Sequence, residues 1–250
     1  MSAGPRRGEE AFERPASARP LTQRPPLSDD ITIDDLPSEM RISLKSLPGT
    51  LAETVGRHLA AAVELMDDEP ELAYAHAAYA RELAPRLATL RGVGGFLAYR
   101  TGRFAEALAD FRTVRRLTGQ TDILPAMADC ERGLGRPERA LDIAHEAQPA
   151  SLPLDIRIEL AIVASGARRD LGQFDAAVLE LQRPELENRV EGKWAPRLWY
   201  AYADALLSAG RRDESVEWFA AAAEIDDDEQ TDAMERLEQV LNGDTPTATP

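Results

Sequence analysis

One spacing pattern recurs along this sequence and restricts the fold more than any other feature. In the stretch Leu97–Gly119, Gly102 is followed by Phe104, Ala107 and Phe111, so that a glycine precedes apolar positions at helical spacing. The same order returns three times further along the chain. At the same offsets, Gly135 is followed by Ala140, Gly172 by Phe174 and Ala177, and Gly210 by Phe219, which has the place of Phe111.

A small residue stands seven positions before each of these glycines; the four are Gly95, Ala128, Ser165 and Ala203. Glycine adopts the positive φ that turns a chain between two helices, and small side chains let the helix axes approach closely. A large side chain in place of Ala107 or Ala140 should overpack the helix pair and cost about 1–3 kcal/mol. The sequence therefore predicts pairs of closely packed antiparallel helices.

The distance between equivalent packing residues gives the length of one unit. Ala73 and Ala107 are 34 residues apart, and Ala107 and Ala140 are 33 apart. The later spacings, from Ala140 to Ala177 and from Ala177 to Ser215, are 37 and 38 residues. Units of this length and pattern resemble tetratricopeptide repeats (TPRs), helix–turn–helix modules with a period of about 34 residues. The resemblance spans residues 50–242, and over this range the sequence resembles uncharacterised actinobacterial TPR proteins. It implies an all-α superhelical array, an α-solenoid, of about five helix–turn–helix repeats.

The composition of the chain divides it into four parts. Residues 1–26 are rich in Pro, Arg and Ala and nearly free of large apolar side chains, so we predict a disordered basic arm. Residues 27–48 hold an acidic hook, Asp29–Leu36, in which apolar and acidic residues alternate, and then a short helix. Residues 49–243 form the TPR domain, closed by a C-terminal capping helix, and residues 244–250 form a disordered tail.

Charge and residue usage exclude several classes of function. The formal net charge of −15 argues against nucleic-acid binding, because affinity for phosphates comes from Lys and Arg. A single cysteine, Cys130, suits a reducing compartment, and no apolar run approaches the roughly 20 residues of a membrane helix, so we expect a cytoplasmic protein without a membrane contact. The three histidines fall in different helices, and we predict no catalysis, cofactor or metal.

The TPR resemblance also implies a binding surface. In that family the concave groove is lined by the first helix of each repeat and grips peptides or partner helices. Transferring the register residue by residue predicts that the groove contains His58, Phe96, Tyr99, Arg100, Asp129, Arg132, Arg169, Tyr200 and Asp204.

Three of these residues stand at nearly equivalent places, close to the C-terminal ends of the first helices: Arg100, Arg132 and Arg169. One interpretation is that they complement the helix dipoles, an effect worth about 0.3–1 kcal/mol each. The other is a basic stripe that binds carboxylates of an acidic partner, since an arginine fork forms paired hydrogen bonds to them. The sequence leaves both open.

The functional prediction is a scaffold or adaptor that binds another protein or a peptide in the groove. The alternative is an RNA- or ribosome-associated factor that uses the basic arm. The hook at residues 29–36 either caps the first repeat or occupies the groove as an internal ligand, because its acids would suit the arginines.

Overall fold

The computed structural model describes residues 23–146, 151–187 and 192–243, and within these ranges the chain is all-α, with no strand. The described residues contain five helix pairs joined by short turns. The pairs are α2 (Gly49–Glu64) with α3 (Pro70–Leu83), α4 (Ala88–Arg100) with α5 (Phe104–Thr118), α6 (Leu124–Gly133) with α7 (Pro137–Glu146), α8 (Leu154–Asp170) with α9 (Phe174–Leu181), and α11 (Ala195–Ser208) with α12 (Arg212–Ile225).

Three short helices complete the array. A 3₁₀ turn, Ile33–Asp35, and α1 (Ser38–Leu44) precede the first pair, and α10 (Pro184–Glu187) lies between the fourth and fifth pairs. The last helix, α13 (Ala233–Asn242), packs against α12. None of the described helices is long and apolar enough to cross a membrane.

The turn inside four of the pairs depends on glycine. Gly102, Gly135, Gly172 and Gly210 have φ values of +72°, +69°, +68° and +78°. A residue with a Cβ pays a steric cost in this left-handed region, whereas glycine does not. These glycines therefore let the second helix of each pair fold back on the first.

The small residues lie where two helices of a pair approach most closely. A Cβ on Gly95 would stand 3.1 Å from the ring of Phe111, tighter than most real contacts. Ala107, Ala140 and Ala177 are fully buried. A larger side chain at these points has no free space to enter, which is the physical basis of the overpacking cost.

Buried ion pairs join neighbouring units. Asp110 on α5 is almost fully buried and accepts hydrogen bonds from Arg81 on α3 and from Arg91 on α4, the latter at 2.7 Å. Glu131 on α6 is paired in the same way with Arg112 on α5 at 2.7 Å. Because each acid contacts arginines from adjacent helices, these pairs fix how successive units stack.

The N-terminal strap, residues 23–36, lies on α2. Ile33 sits over Gly56, where a Cβ would come within 2.7 Å of the Ile33 side chain. The guanidinium of Arg57 donates to the carbonyl of Ile31 at 2.8 Å and to that of Ser28 at 2.7 Å. Leu36 is buried against the core of the first pair.

This arrangement decides between the two interpretations of the hook. Residues 29–36 contact α2 at the N-terminal end of the array, not the arginines Arg132 and Arg169, so the prediction that the hook lies in the groove is wrong. The physical reason is burial of apolar surface. Ile31, Ile33 and Leu36 cover the face of α2 on which no preceding repeat packs. The hook caps the first repeat.

The predicted boundary of the basic arm also shifts. Pro25 is buried, and the carbonyl of Pro26 accepts a hydrogen bond from His76, so the packed segment begins before residue 27. Residues 1–22 of the predicted arm and the predicted tail at 244–250 lie outside the described residues.

The capping helix α13 leaves two large apolar side chains exposed. Val240 is buried against Phe219, but Met234 and Leu241 are 59% and 60% exposed. A salt bridge from Arg236 to Asp204 on α11, at 3.1 Å, adds to its attachment.

Candidate partner-binding site

A cavity of about 430 Å³ opens between the first helices of four successive units. We call it the groove cavity. Its walls come from α4, α6, α8 and α11, and the loop before α13 closes one end. The lining residues are Tyr99, Asp129, Arg132, Glu159, Ile162, Val163, Ser165, Gly166, Arg169, Arg197, Tyr200, Ala201, Asp204, Gln230, Thr231 and Asp232.

Six of the nine residues that the sequence places in the groove line this one cavity. They come from four different helices, yet the repeat register brings them together. They are Tyr99, Asp129, Arg132, Arg169, Tyr200 and Asp204.

The first hydrogen-bond network of the cavity centres on Asp129. Its carboxylate accepts a hydrogen bond from the Tyr99 hydroxyl at 2.6 Å and from Arg132 at 2.8 Å. Arg132 also donates to both carboxylate oxygens of Asp170 on α8, at 2.8 and 3.3 Å. Burial and the nearby Asp129 charge raise the pKa of Tyr99, so its hydroxyl stays protonated and donating.

A glycine makes room for this network. A Cβ on Gly166 would lie 2.6 Å from the Cζ of Arg132, so only glycine lets the guanidinium rest on the backbone of α8. Gly166 therefore positions Arg132 between Asp129 and Asp170.

The second network centres on Asp204. Arg169 on α8 donates to one of its oxygens, and Arg236 on α13 donates to the other at 3.1 Å. Arg236 also donates to the side chain of Gln239 at 2.9 Å. Three helices are thus joined at one carboxylate.

The loop that ends the cavity is held by its own side chains. Asp226 accepts hydrogen bonds from the backbone N–H groups of Gln230 and Thr231 and from the Thr231 hydroxyl, all within 2.8 Å. Tyr200 donates to Asp232, and burial together with that carboxylate raises the pKa of Tyr200. Tyr200 and this loop form a fixed end wall.

One further ion pair lines the cavity. Arg197 on α11 donates to Glu159 on α8 at 2.7 Å. Burial raises the pKa of Glu159 above its usual range, although Arg197 opposes this effect. Arg197 is half exposed, so this pair faces the open side of the cavity.

Three predicted groove residues lie elsewhere. Phe96 is 40% exposed on α4 and its ring stands 6.5 Å from that of Tyr99, outside the cavity lining. Arg100 pairs with Asp67 in the loop after α2, at 2.5 Å. The prediction that His58 lies on the groove surface is wrong, because His58 is fully buried between α2 and α3.

His58 instead forms a buried pair with His76. Their Nδ1 atoms are 2.8 Å apart, and His76 also donates to the carbonyl of Pro26 in the strap. The other ring nitrogen of His58, Nε2, is buried and has no hydrogen-bond partner in the described residues. Burial, with His76, Arg24 and Arg57 nearby, lowers the pKa of His58 to about 4.

The arginine positions do not form a free basic stripe. Arg132 is held by Asp129 and Asp170, Arg169 by Asp204, and Arg100 by Asp67. Each positive charge is already paired with a carboxylate of the chain, usually one on a neighbouring helix. These arginines connect units, a role that the sequence interpretations did not include.

Several lining residues were not predicted from sequence. Ile162 has the same register position in α8 as Tyr200 has in α11, so the register identifies it. Arg197 lies one turn before Tyr200 on the same face of α11, so the helical period identifies it. Gln230, Thr231 and Asp232 belong to a loop that has no equivalent in the other units. Only the fold of that loop brings them to the cavity.

Two further observations concern Cys130 and the side chains that could hold a metal ion. Cys130 is fully buried, and burial beside Asp129 and Glu131 raises the pKa of its thiol to about 12. Among the residues that the structure describes, no three His, Cys, Asp or Glu side chains come together to hold a metal ion.

No protein-family profile matches this chain, and no curated protein matches it. The crystal structure of TTC0263, a thermophilic TPR protein in Thermus thermophilus, is similar, with a TM-score of 0.59 and 20% sequence identity. That similarity covers 75% of this chain and 99% of the other. A second similar structure is yeast Tom70, at a TM-score of 0.47 and 14% identity, covering 83% of this chain and 44% of Tom70.

Because the sequence identity is only 20%, the similarity to the Thermus protein establishes the fold and nothing more. The chain is a TPR-like α-solenoid. The predicted relation to actinobacterial proteins stays a prediction.

Proposed function

We propose that this chain is an interaction scaffold or adaptor whose groove cavity binds a segment of a partner protein. One observation supports this most: four successive units contribute to a single open cavity of about 430 Å³, within the size range of ligand-binding pockets. Arrays of stacked repeats create extended surfaces of this kind, and such surfaces are used for binding.

The walls of the cavity suit a peptide segment. Tyr99, Tyr200, Ile162 and Val163 supply apolar and aromatic area, and the side-chain amide of Gln230 supplies a polar group. Tyrosine is enriched among residues that contribute most to binding energy. Because both tyrosine hydroxyls are held by carboxylates, little side-chain entropy remains to be lost when a partner docks.

Catalysis is not part of this proposal. The acids Asp129 and Asp204 each accept two hydrogen bonds from side chains of the chain itself, which leaves neither poised as a free base. The cytoplasmic location is proposed on the sequence alone. The RNA-binding alternative depends on the basic arm, most of which lies outside the described residues, and no feature of the cavity favours it.

A side chain that fills the cavity tests the proposal. Ala201 lines the cavity, so Ala201→Trp should block it without removing any ion pair. Ala220 is exposed on the neighbouring helix α12, and Ala220→Trp adds the same side chain outside the cavity. Both variants and the unchanged chain would be used to capture partners from native lysate, followed by measurement of affinity for the purified partner.

We expect Ala201→Trp to weaken the affinity for the captured partner at least tenfold and Ala220→Trp to leave it unchanged. Equal affinity of both variants would place the binding surface elsewhere and end the proposal. Circular dichroism at the same concentration would confirm that both variants keep their helix content.

A further inference from the structure

The charged side chains that line the groove cavity form three ion pairs, and one carboxylate is left without a pair. Four carboxylates and three arginines line it. Asp129 pairs with Arg132, Asp204 with Arg169, and Glu159 with Arg197. Among the charged residues just behind the lining, Asp170 and Arg236 pair with Arg132 and Asp204 and have opposite signs. Asp226 is held there by the N–H groups of Gln230 and Thr231.

Among the four lining carboxylates, Asp232 is the one for which the described residues supply no arginine partner. It accepts a hydrogen bond from the Tyr200 hydroxyl, a neutral donor, and it is exposed at the end wall. Arg236 lies one turn further along, but its guanidinium is engaged by Asp204 and Gln239. The lining therefore has one negative charge that no arginine of the described part of the chain balances, at Asp232, and the nearby carboxylate of Asp226 has the same sign.

The surroundings of Asp232 favour a cation over other ligands. Tyr200 lines the cavity beside it, and an aromatic ring attracts an ammonium or guanidinium group placed over its face. A ligand carboxylate would have to compete with Asp204 and Asp129 for arginines that are already engaged. The formal net charge of −15 on the whole chain acts in the same direction, because it attracts cationic segments.

We infer that the groove cavity selects a partner segment carrying a lysine or arginine side chain, and that Asp232 is the residue that recognises this positive charge. This inference rests on the proposed function and names the chemistry of its ligand. It reverses the sequence expectation of a carboxylate-binding arginine stripe. The ion pair lies at the end wall, beside Tyr200, with the apolar walls of α8 along the rest of the segment.

A random twelve-residue peptide library displayed on phage provides the probe, selected on the full chain. Three versions would be compared: the unchanged chain, Asp232→Asn, and Asp228→Asn as the matched control. Asp228 is an exposed acid of the same loop that does not line the cavity, so its substitution removes equal charge nearby.

We expect the unchanged chain and Asp228→Asn to enrich peptides with Lys or Arg at one position, and Asp232→Asn to lose that enrichment. For a single selected peptide, Asp232→Asn should weaken binding about fivefold, the upper range for a solvent-facing ion pair. Salt should weaken binding to the unchanged chain and have a smaller effect on binding to Asp232→Asn.

The outcomes separate this inference from the proposed function. Enrichment of Asp or Glu, or a Lys and Arg preference that Asp232→Asn retains, would overturn the role of Asp232 while the cavity could still be the binding site. Selected peptides that bind Ala201→Trp as tightly as the unchanged chain would contradict both, because they would bind outside the cavity.

Discussion

The first repeat and the groove cavity use the same positions of the helical register, but the side chains at these positions differ in their accessibility to a partner. His58 on α2 and Tyr200 on α11 each stand fifteen residues before the packing residue of their unit, Ala73 and Ser215. His58 is fully buried with His76 beneath the strap, whereas Tyr200 lines an open cavity. The register determines where a side chain lies on its own helix pair, and the neighbouring segment determines whether a partner can reach it.

The two regions also handle charge differently. Beneath the strap a neutral histidine pair is buried, with the nearest cations, Arg24 and Arg57, disfavouring its protonation. In the groove cavity the charged groups are partly exposed and paired across units. We therefore expect the first region to respond strongly to packing changes and to pH, and the second to respond more weakly to loss of single charges.

The largest expected effect is loss of a strap anchor. Leu36 is only 3% exposed in the core of the first pair, so Leu36→Ala should cost about 2–4 kcal/mol of local stability. Hydrogen exchange followed by mass spectrometry should show faster exchange in α2 and no change in α11, since stability in such arrays is a sum of local terms.

Ile42 provides the matched control for this variant. It lies on α1 in the same region but is 60% exposed, so Ile42→Ala should change exchange in α2 very little. If Leu36→Ala left α2 protected, the strap would not be what closes the first repeat.

A smaller effect is expected from pH. The pKa of His58 in the folded chain is about 4, below the value of about 6.5 in an unfolded chain, so the unfolded state binds more protons between these values. Stability of the first repeat should therefore fall as the pH is lowered through this window, by about 2 kcal/mol between pH 7 and pH 5.

Exchange protection of α2, corrected for the intrinsic pH dependence of exchange, measures this loss. Replacing both histidines, with His58→Phe and His76→Leu, removes the titrating groups and should flatten the dependence between pH 5 and 7. A double variant that kept the full pH dependence would assign it to other groups.

The smallest effects concern the arginines of the array. Arg169→Ala removes a partner of the largely buried Asp204, although Arg236 remains, and should cost about 1 kcal/mol. Arg100 pairs with Asp67, which is 84% exposed, so Arg100→Ala should cost less than about 0.5 kcal/mol. Urea unfolding of both variants, followed by circular dichroism, gives the comparison. Equal costs would mean that burial of the acid does not set the strength of these pairs.

The repeat architecture could be predicted from sequence because its signals are local. The spacing of Gly102, Gly135, Gly172 and Gly210 reports turns within single units, and the small residues report contacts within single helix pairs. These short-range features recur in each unit along the chain, so a single sequence is enough to recognise them.

The candidate site could be predicted only in part. The register placed Asp129 and Tyr200 on one surface, as the structure does. It also placed His58 there, but His58 is buried. The strap that covers this region is distant in sequence, so the register alone does not reveal the burial. The pairing of each arginine with an acid on another helix, and the contribution of Asp232 from an irregular loop, depend on the stacking angle between units. Spacing along one chain does not encode that angle.

The most direct test of the account is to find which surface touches the partner. A photoreactive amino acid would replace Ile162 in the groove cavity, Leu179 on the exposed side of α9 in the same repeat, or Thr32 on the strap, and each full-length variant would be irradiated with the captured partner. Binding in the groove cavity predicts a crosslinked product from position 162 and none from 179 or 32. Crosslinking from 179 or 32, with none from 162, would contradict it.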